Sequence, residues 1–221
     1  GSMKSIALIH TVKTVANSFE QQLKDYVGEP VKIHNLWDDF LANNPNEIGE
    51  FTIENRCRLY NDIKSAEMTG ADMIVVTCST LTPVVNMIRP FVRVPLIAID
   101  DAMGRKAVTC GERILVLATA GSTEGPMREK LNAEAAKLGK SIQIDFQANA
   151  EAFQAMKAVQ MERHDAILLD MAKNISGYDC VVLAQASMAH LDQKIEAICK
   201  IPVLSSPGLC MEQVKETLKT I

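Results

Sequence analysis

The stretch Gly70-Ala71-Asp72-Met73-Ile74-Val75-Val76-Thr77-Cys78-Ser79-Thr80 has a counterpart later in the chain, Gly177-Tyr178-Asp179-Cys180-Val181-Val182-Leu183-Ala184-Gln185-Ala186-Ser187, 107 residues on. Each copy opens on glycine, sets an aspartate before four apolar residues, and closes on small polar side chains. Val94-Pro95-Leu96-Ile97 corresponds to Ile201-Pro202-Val203-Leu204 at the same spacing. Two matches at one offset predict an internal duplication. Apolar runs of this length, bounded by glycine and polar turns, read as strands buried on both faces. Such strands belong to parallel sheets with helices on either side.

Working outward, residues 5–9 form another apolar run, and Val12, Val15, Phe19, Leu23 and Tyr26 follow at helical spacing. Residues 31–36 read as a second strand. Asn43-Asn44-Pro45-Asn46 reads as a polar loop inside a specificity loop over 36–48 that also carries Trp37 and Phe40. A long helix over about 50–70 should end at Gly70, and strands at 72–77 and 95–99 complete the first set. Residues 114–118, 142–146, 180–183 and 202–204 supply a second set of four. The expected domains are a first α/β lobe, 1–100 plus 207–221, with the last helix returning to it, and a second lobe, 101–206. The ligand cleft is expected between them.

Composition narrows the function classes. The 221 residues are 48% hydrophobic and 23% charged, which is ordinary for a globular protein. A net charge of −4 leaves no basic excess for phosphates, so no nucleic acid is expected as partner. No apolar run reaches the roughly 18 residues a membrane helix needs. Nothing reads as a signal peptide, and Gly1-Ser2-Met3 reads as a vector remnant ahead of the native start, so a cytoplasmic protein is expected. The six cysteines form no C-x-x-C pair and the four histidines are scattered, which argues against zinc and for reduced thiols. The nucleotide-binding patterns G-x-G-x-x-G and G-x-x-x-x-G-K-[ST] are missing. Met68, Met73, Met87 and Met188 are expected in packing, and Asp100-Asp101 at a helix start, where the macrodipole favours carboxylates.

In parallel α/β sheets ligands meet the carboxyl ends of strands. Cys78 sits at such an end, and Thr82-Pro83 beyond it reads as a hydroxyl N-cap with proline at the first helical position. Free amides there would favour thiolate over thiol. Ser79 and Thr80 add hydroxyls, Ser187 is the counterpart of Thr80, and Thr119-Ala120-Gly121-Ser122-Thr123 and Ser206-Pro207-Gly208 are further polar turns. Together they would suit a small carboxylate.

At these residues the chain resembles the aspartate/glutamate/hydantoin racemase superfamily. Residues 72–80 are similar to its first cysteine motif, and Val181-Val182-Leu183-Ala184-Gln185-Ala186-Ser187-Met188-Ala189 to its second, especially in the hydantoin-racemase form. The resemblance spans nearly the whole chain. It implies two pseudo-symmetric flavodoxin-like lobes, each a four-stranded parallel sheet covered by helices. It also implies proton transfer without a cofactor beside the carboxylate of a small acid or amino-acid-like ligand, with one cysteine from each lobe. Thr119 and Ser122 match its carboxylate-contacting turn, and Ala186 lies within the second motif.

This chain carries Gln185 where the second cysteine would stand. An amide bonds to oxygen but does not shuttle protons near neutral pH, so two-thiol racemisation is not expected. Cys180 begins the same strand, roughly 16 Å back at about 3.3 Å per residue, and Cys110 should lie at the opposite end of the sheet. His10 at the first strand end, His190 one turn beyond Gln185, and Cys210 in the first turn of the last helix are the spare acid–base candidates. His34 and His164 read as an outer strand end and a helix surface. One thiol, Cys78, suits one-sided isomerisation or decarboxylation as an acid–base group, or cis-trans isomerisation as a nucleophile adding to an activated double bond or carbonyl, with Gln185 stabilising developing negative charge. The alternative is a non-catalytic binding protein for acidic metabolites. Apolar helix faces left over on such a body are compatible with a homodimer.

Overall fold

The computed structural model describes residues 2–221, and Gly1 lies outside the described residues. The chain divides into two compact units, residues 1–101 with 207–221, and residues 102–206.

The first unit runs β1 (Lys4–His10), α1 (Lys13–Val27), β2 (Val31–Trp37), α2 (Phe40–Ile48), α3 (Ile53–Glu67), β3 (Met73–Val76), α4 (Thr82–Ile88) and β4 (Leu96–Ala98). Its strands are all parallel, in the order β2-β1-β3-β4. Ile6 to Ile9 and Met73 to Val76 are buried on both faces, as unbroken apolar runs require. Val15, Phe19, Leu23 and Val27 line the buried stripe of α1, which ends on Gly28 at φ 78° with its amide on the Lys24 carbonyl. Thr52 and Asn55 close a reciprocal capping box on α3, each backbone amide donating to the other side chain at 3.0 Å.

Residues 43–46 are not a loop. They lie within α2, with Pro45 inside the helix and Gly49 ending it at φ 81°. Proline removes only one internal bond from so short a helix, and the burial of Leu41 in the core holds the segment helical. Asparagine and proline at helical spacing carry no apolar signal that would announce it.

The second unit starts one residue inside α5 (Asp101–Cys110) and continues through β5 (Arg113–Ala118), α6 (Glu124–Lys137), β6 (Gln143–Ala148), α7 (Ala150–Lys157), α8 (Met161–Ala172), β7 (Cys180–Leu183), α9 (Asp192–Cys199) and β8 (Val203–Leu204). Its parallel order is β6-β5-β7-β8. The final helix, α10 (Ser206–Leu218), packs with the first unit from Pro207 onward.

The duplication is written in the hydrogen bonds. Ile74 N donates to Pro95 O at 2.9 Å, and Val181 N to Pro202 O at 2.9 Å. Thr77 N reaches Ile9 O as Ala184 N reaches Leu117 O, both at 2.9 Å. The two echoed aspartates also do the same work at the strand starts: Asp72 Oδ2 accepts from Ser5 N, and Asp179 Oδ2 from Glu112 N and Arg113 N, all at 2.9 Å. Methionine did not sort uniformly. Met73 and Met188 are buried, whereas Met68 and Met87 are 79% and 59% exposed, so these two are not packing residues.

Candidate active site

Cys78 follows β3 at its carboxyl end, and the backbone turns at once into a 3-10 helix over Ser79–Leu81. The expected hydroxyl cap is not made. Leu81 is the N-cap of α4, and the Thr82 hydroxyl instead donates to Asp100 Oδ1 at 2.7 Å. Thr82 is drawn there because Asp100 is wholly buried after β4 and requires donors.

Cys78 as a whole residue is partly exposed. Burial nevertheless pushes its thiol above the ordinary value, against the expectation of a favoured thiolate. The Thr11 hydroxyl and the amide and hydroxyl of Thr80 pull in the opposite direction without reversing the rise, and Asp100 adds to it. Thr11 is 3% exposed, and its hydroxyl has no hydrogen-bond partner of good geometry among the described residues. The sequence reading missed it, although Thr11 and Thr119 each follow the first strand of their repeat.

Gln185 occupies the corresponding turn of the second unit, after β7. Its Oε1 accepts from Thr119 N at 2.6 Å, from Thr119 Oγ1 at 3.0 Å and from Ala120 N at 3.0 Å. Two of these partners can only donate, so the side-chain oxygen must face the β5 turn and the amide nitrogen must face away. Gln185 is therefore a fixed hydrogen-bond donor. Thr119 holds Gln185, while Ser122 and Ala186 are partly exposed and Ser187 is 9% exposed. Ser79 and Thr80 lie in the turn beside Cys78, Ser79 buried and Thr80 partly exposed.

The spare acid–base candidates fare differently. His10 is fully buried, with Nδ1 2.7 Å from Thr77 Oγ1 and Nε2 2.9 Å from Asn35 Oδ1. Burial lowers its pKa, and both nitrogens serve to tie β1 to β3 and β2. Cys210 is sealed in α10, its thiol pushed far up by burial and by Asp101 and Asp100. Asp101 begins α5 as expected, accepting from Ala98 N and from Arg89 Nη2 at 3.0 and 2.9 Å.

His190 belongs to a 3-10 segment, Ala186–Leu191, and bonds through Nε2 to Asp165 Oδ1 at 2.8 Å. His164 is not on a helix surface but fully buried, with Nδ1 2.8 Å from the same oxygen and its ring stacked on His190 at 6.1 Å. These three ligand-type atoms lie within 4.8 Å of one another. A metal-bound imidazole normally donates its outer N–H to an acceptor, and His164 Nε2 is buried with no partner. The donor set thus fits a hydrogen-bonded triad pinning the 3-10 segment to α8 better than a metal site. Sequence separation hid this cluster. No helix of the described residues is long and apolar enough to cross a membrane.

Comparisons with known proteins bear on the fold and the family. No curated protein sequence matches the chain. Among solved structures, glutamate racemase isoform RacE1 from Bacillus anthracis superposes with a TM-score of 0.74 at 13% identity, covering 98% of this chain and 82% of that one. An aspartate racemase homologue from Pyrococcus horikoshii OT3 gives 0.68 at 15% identity, over 98% of this chain and 100% of that one. Allantoin racemase from Klebsiella pneumoniae gives 0.61 at 15%, over 98% and 88%. At such identities the likeness is one of fold, the two-lobed α/β arrangement of the racemases. The family model for Asp/Glu/hydantoin racemases, however, matches residues 6–214, and the chain belongs to that family.

Proposed function

We propose that this racemase-superfamily enzyme transfers a proton to one face of the carbon beside the carboxylate of a small acid, with Cys78 as the donor. Two observations, one in each unit, support the reading: burial pushes the Cys78 thiol above its ordinary pKa, and the Gln185 amide at the matching turn of the repeat has its oxygen tied to the turn after β5. A thiol above its ordinary pKa is a poor resting base and a competent acid. An enediolate generated by loss of carbon dioxide, or by isomerisation, would take its proton from Cys78. The fixed N–H pair of Gln185 would stabilise the negative charge that develops on the substrate oxygen. Because the amide and hydroxyl of Thr119 hold Gln185, the carboxylate would be bound by Ser79, Thr80, Ser122 and Ser187, with the Thr11 hydroxyl beside the sulfur. The relatives' names point to small molecules such as glutamate, aspartate and allantoin as the class to screen.

The test is turnover of small carboxylates in D₂O, read by NMR and chiral chromatography. A single deuteron delivered to one face, lost in Cys78→Ala, is the expected result. Racemic product carrying deuterium on both faces would overturn the one-thiol reading, and so would binding without exchange or product. Retained turnover in Cys78→Ala would remove Cys78 from the chemistry.

A further inference from the structure

Two cysteines outside the candidate site meet at the far end of the second sheet. Cys110 is the last residue of α5 and exposed; Cys180 is the first of β7 and fully buried. Their sulfurs rest on consecutive carbonyls of one helical turn, Cys110 Sγ on Lys106 O at 3.5 Å and Cys180 Sγ on Ala107 O at 3.9 Å. The two thiols are near enough that Cys110 raises the pKa of Cys180.

The backbone between them is clamped. Asp179 Oδ2 takes the amides of Glu112 and Arg113 at 2.9 Å, and Asp179 N donates to Arg113 O at 2.8 Å. Gly111 sits at φ 156°, and a Cβ there would fall 2.4 Å from Asp179 Cβ, so the two segments touch with no room for a side chain. This contact holds residue 110 beside residue 180 whatever α5 does elsewhere.

From this juxtaposition we infer that Cys110 and Cys180 form a reversible dithiol–disulfide site, oxidised by peroxides or small disulfides. With hydrogen peroxide, the Cys110 sulfur attacks one oxygen and breaks the O–O bond, giving a sulfenic acid and water. The Cys180 sulfur then attacks that sulfur, closing the S–S bond. Its proton leaves with the departing hydroxide as a second water. The two thiols lose two electrons and the peroxide gains them. The order follows from access: the exposed thiol meets the oxidant, and the buried one, whose pKa burial and then Cys110 push up to about 12, resolves the product.

The experiment treats the full chain with hydrogen peroxide or diamide and maps cysteines by alkylation and mass spectrometry. Two of the six thiols should disappear together, with a 110–180 cross-linked peptide that dithiothreitol reverses. Cys110→Ser should abolish the cross-link, and Cys180→Ser should leave Cys110 to over-oxidise to sulfinic acid. Wild-type protein that over-oxidises at Cys110 while Cys180 stays alkylatable after unfolding would overturn the inference. A bridge between two chains through Cys110, or any other pairing, would do so too. These readouts need no substrate and are independent of the proposed activity.

Discussion

Replacing Gln185 by leucine removes one acceptor from three donors at once: Thr119 N, Thr119 Oγ1 and Ala120 N, at 2.6, 3.0 and 3.0 Å. A net hydrogen bond is worth about 1 kcal/mol, so full loss of the three would cost about 3 kcal/mol. Gln185 is only half-buried, and water recovers part of this, which leaves about 2 kcal/mol. Gln185→Glu tests the orientation of the amide. It keeps an oxygen in the same place, now charged, and charge-assisted bonds are roughly twice as strong. Gln185→Glu should therefore be at least as stable as the parent while losing the outward N–H pair. Amide hydrogen exchange at Thr119 and Ala120, with urea unfolding followed by circular dichroism, reads both effects. Protection at those two amides should fall in the leucine variant and persist or rise in the glutamate variant. The reasoning fails if Gln185→Leu lies within about 0.5 kcal/mol of the parent with unchanged exchange, or if Gln185→Glu is as damaged as Gln185→Leu.

Other consequences are as direct. Asp62, beside Asp38, is raised from 3.8 to about 7 by burial, then by the Asp38 carboxylate, against the pull of Arg58. The folded state therefore holds a proton that the unfolded chain has lost between pH 4 and 7, and this group's contribution to stability falls as pH rises through that window. Asp62→Asn keeps a donor toward Asp38 and should gain on the parent from pH 5 to pH 8 in thermal melts; a constant difference would refute the pairing. Gly111→Ala forces an L side chain into both φ 156° and the Asp179 side chain, and should cost about 2 kcal/mol or more by urea denaturation. Thr82→Val removes the 2.7 Å donor to buried Asp100 and should cost about 1–3 kcal/mol. If Cys78 is the proton donor, its raised thiol keeps the acid limb of activity flat through neutral pH, with loss only on the alkaline side. A limb falling between pH 6 and 8 with rising pH would assign the donor to another group.

The echoed motifs made the two-sheet plan legible, because strands buried on both faces carry unbroken apolar runs and a repeat spacing survives without any knowledge of contacts. β7 begins and ends on the residues read from its apolar run, and the positions of Cys78 and Gln185 at strand ends were legible for the same reason. Local pattern failed where a side chain answers to something remote. α2 is helical through Pro45 because Leu41 is anchored in the core, and Thr82 abandons a cap for Asp100, which lies 18 residues away. His164 looked like a surface residue because its partners, Asp165 and His190, converge only once α8 meets the 3-10 segment.

Sequence alone determined the duplicated parallel sheets, the family, and the place of Gln185 in the second copy of the echoed motif, since each is a matter of residue type and spacing. The direction in which burial pushes the Cys78 thiol, the direction in which Gln185 points, and the meeting of Cys110 with Cys180 were decided only in three dimensions. Desolvation, the choice between donor and acceptor, and the approach of two sulfurs all depend on neighbours that the chain brings together from 65 residues or more apart in the Gln185 and dithiol cases, and spacing along the chain does not encode them.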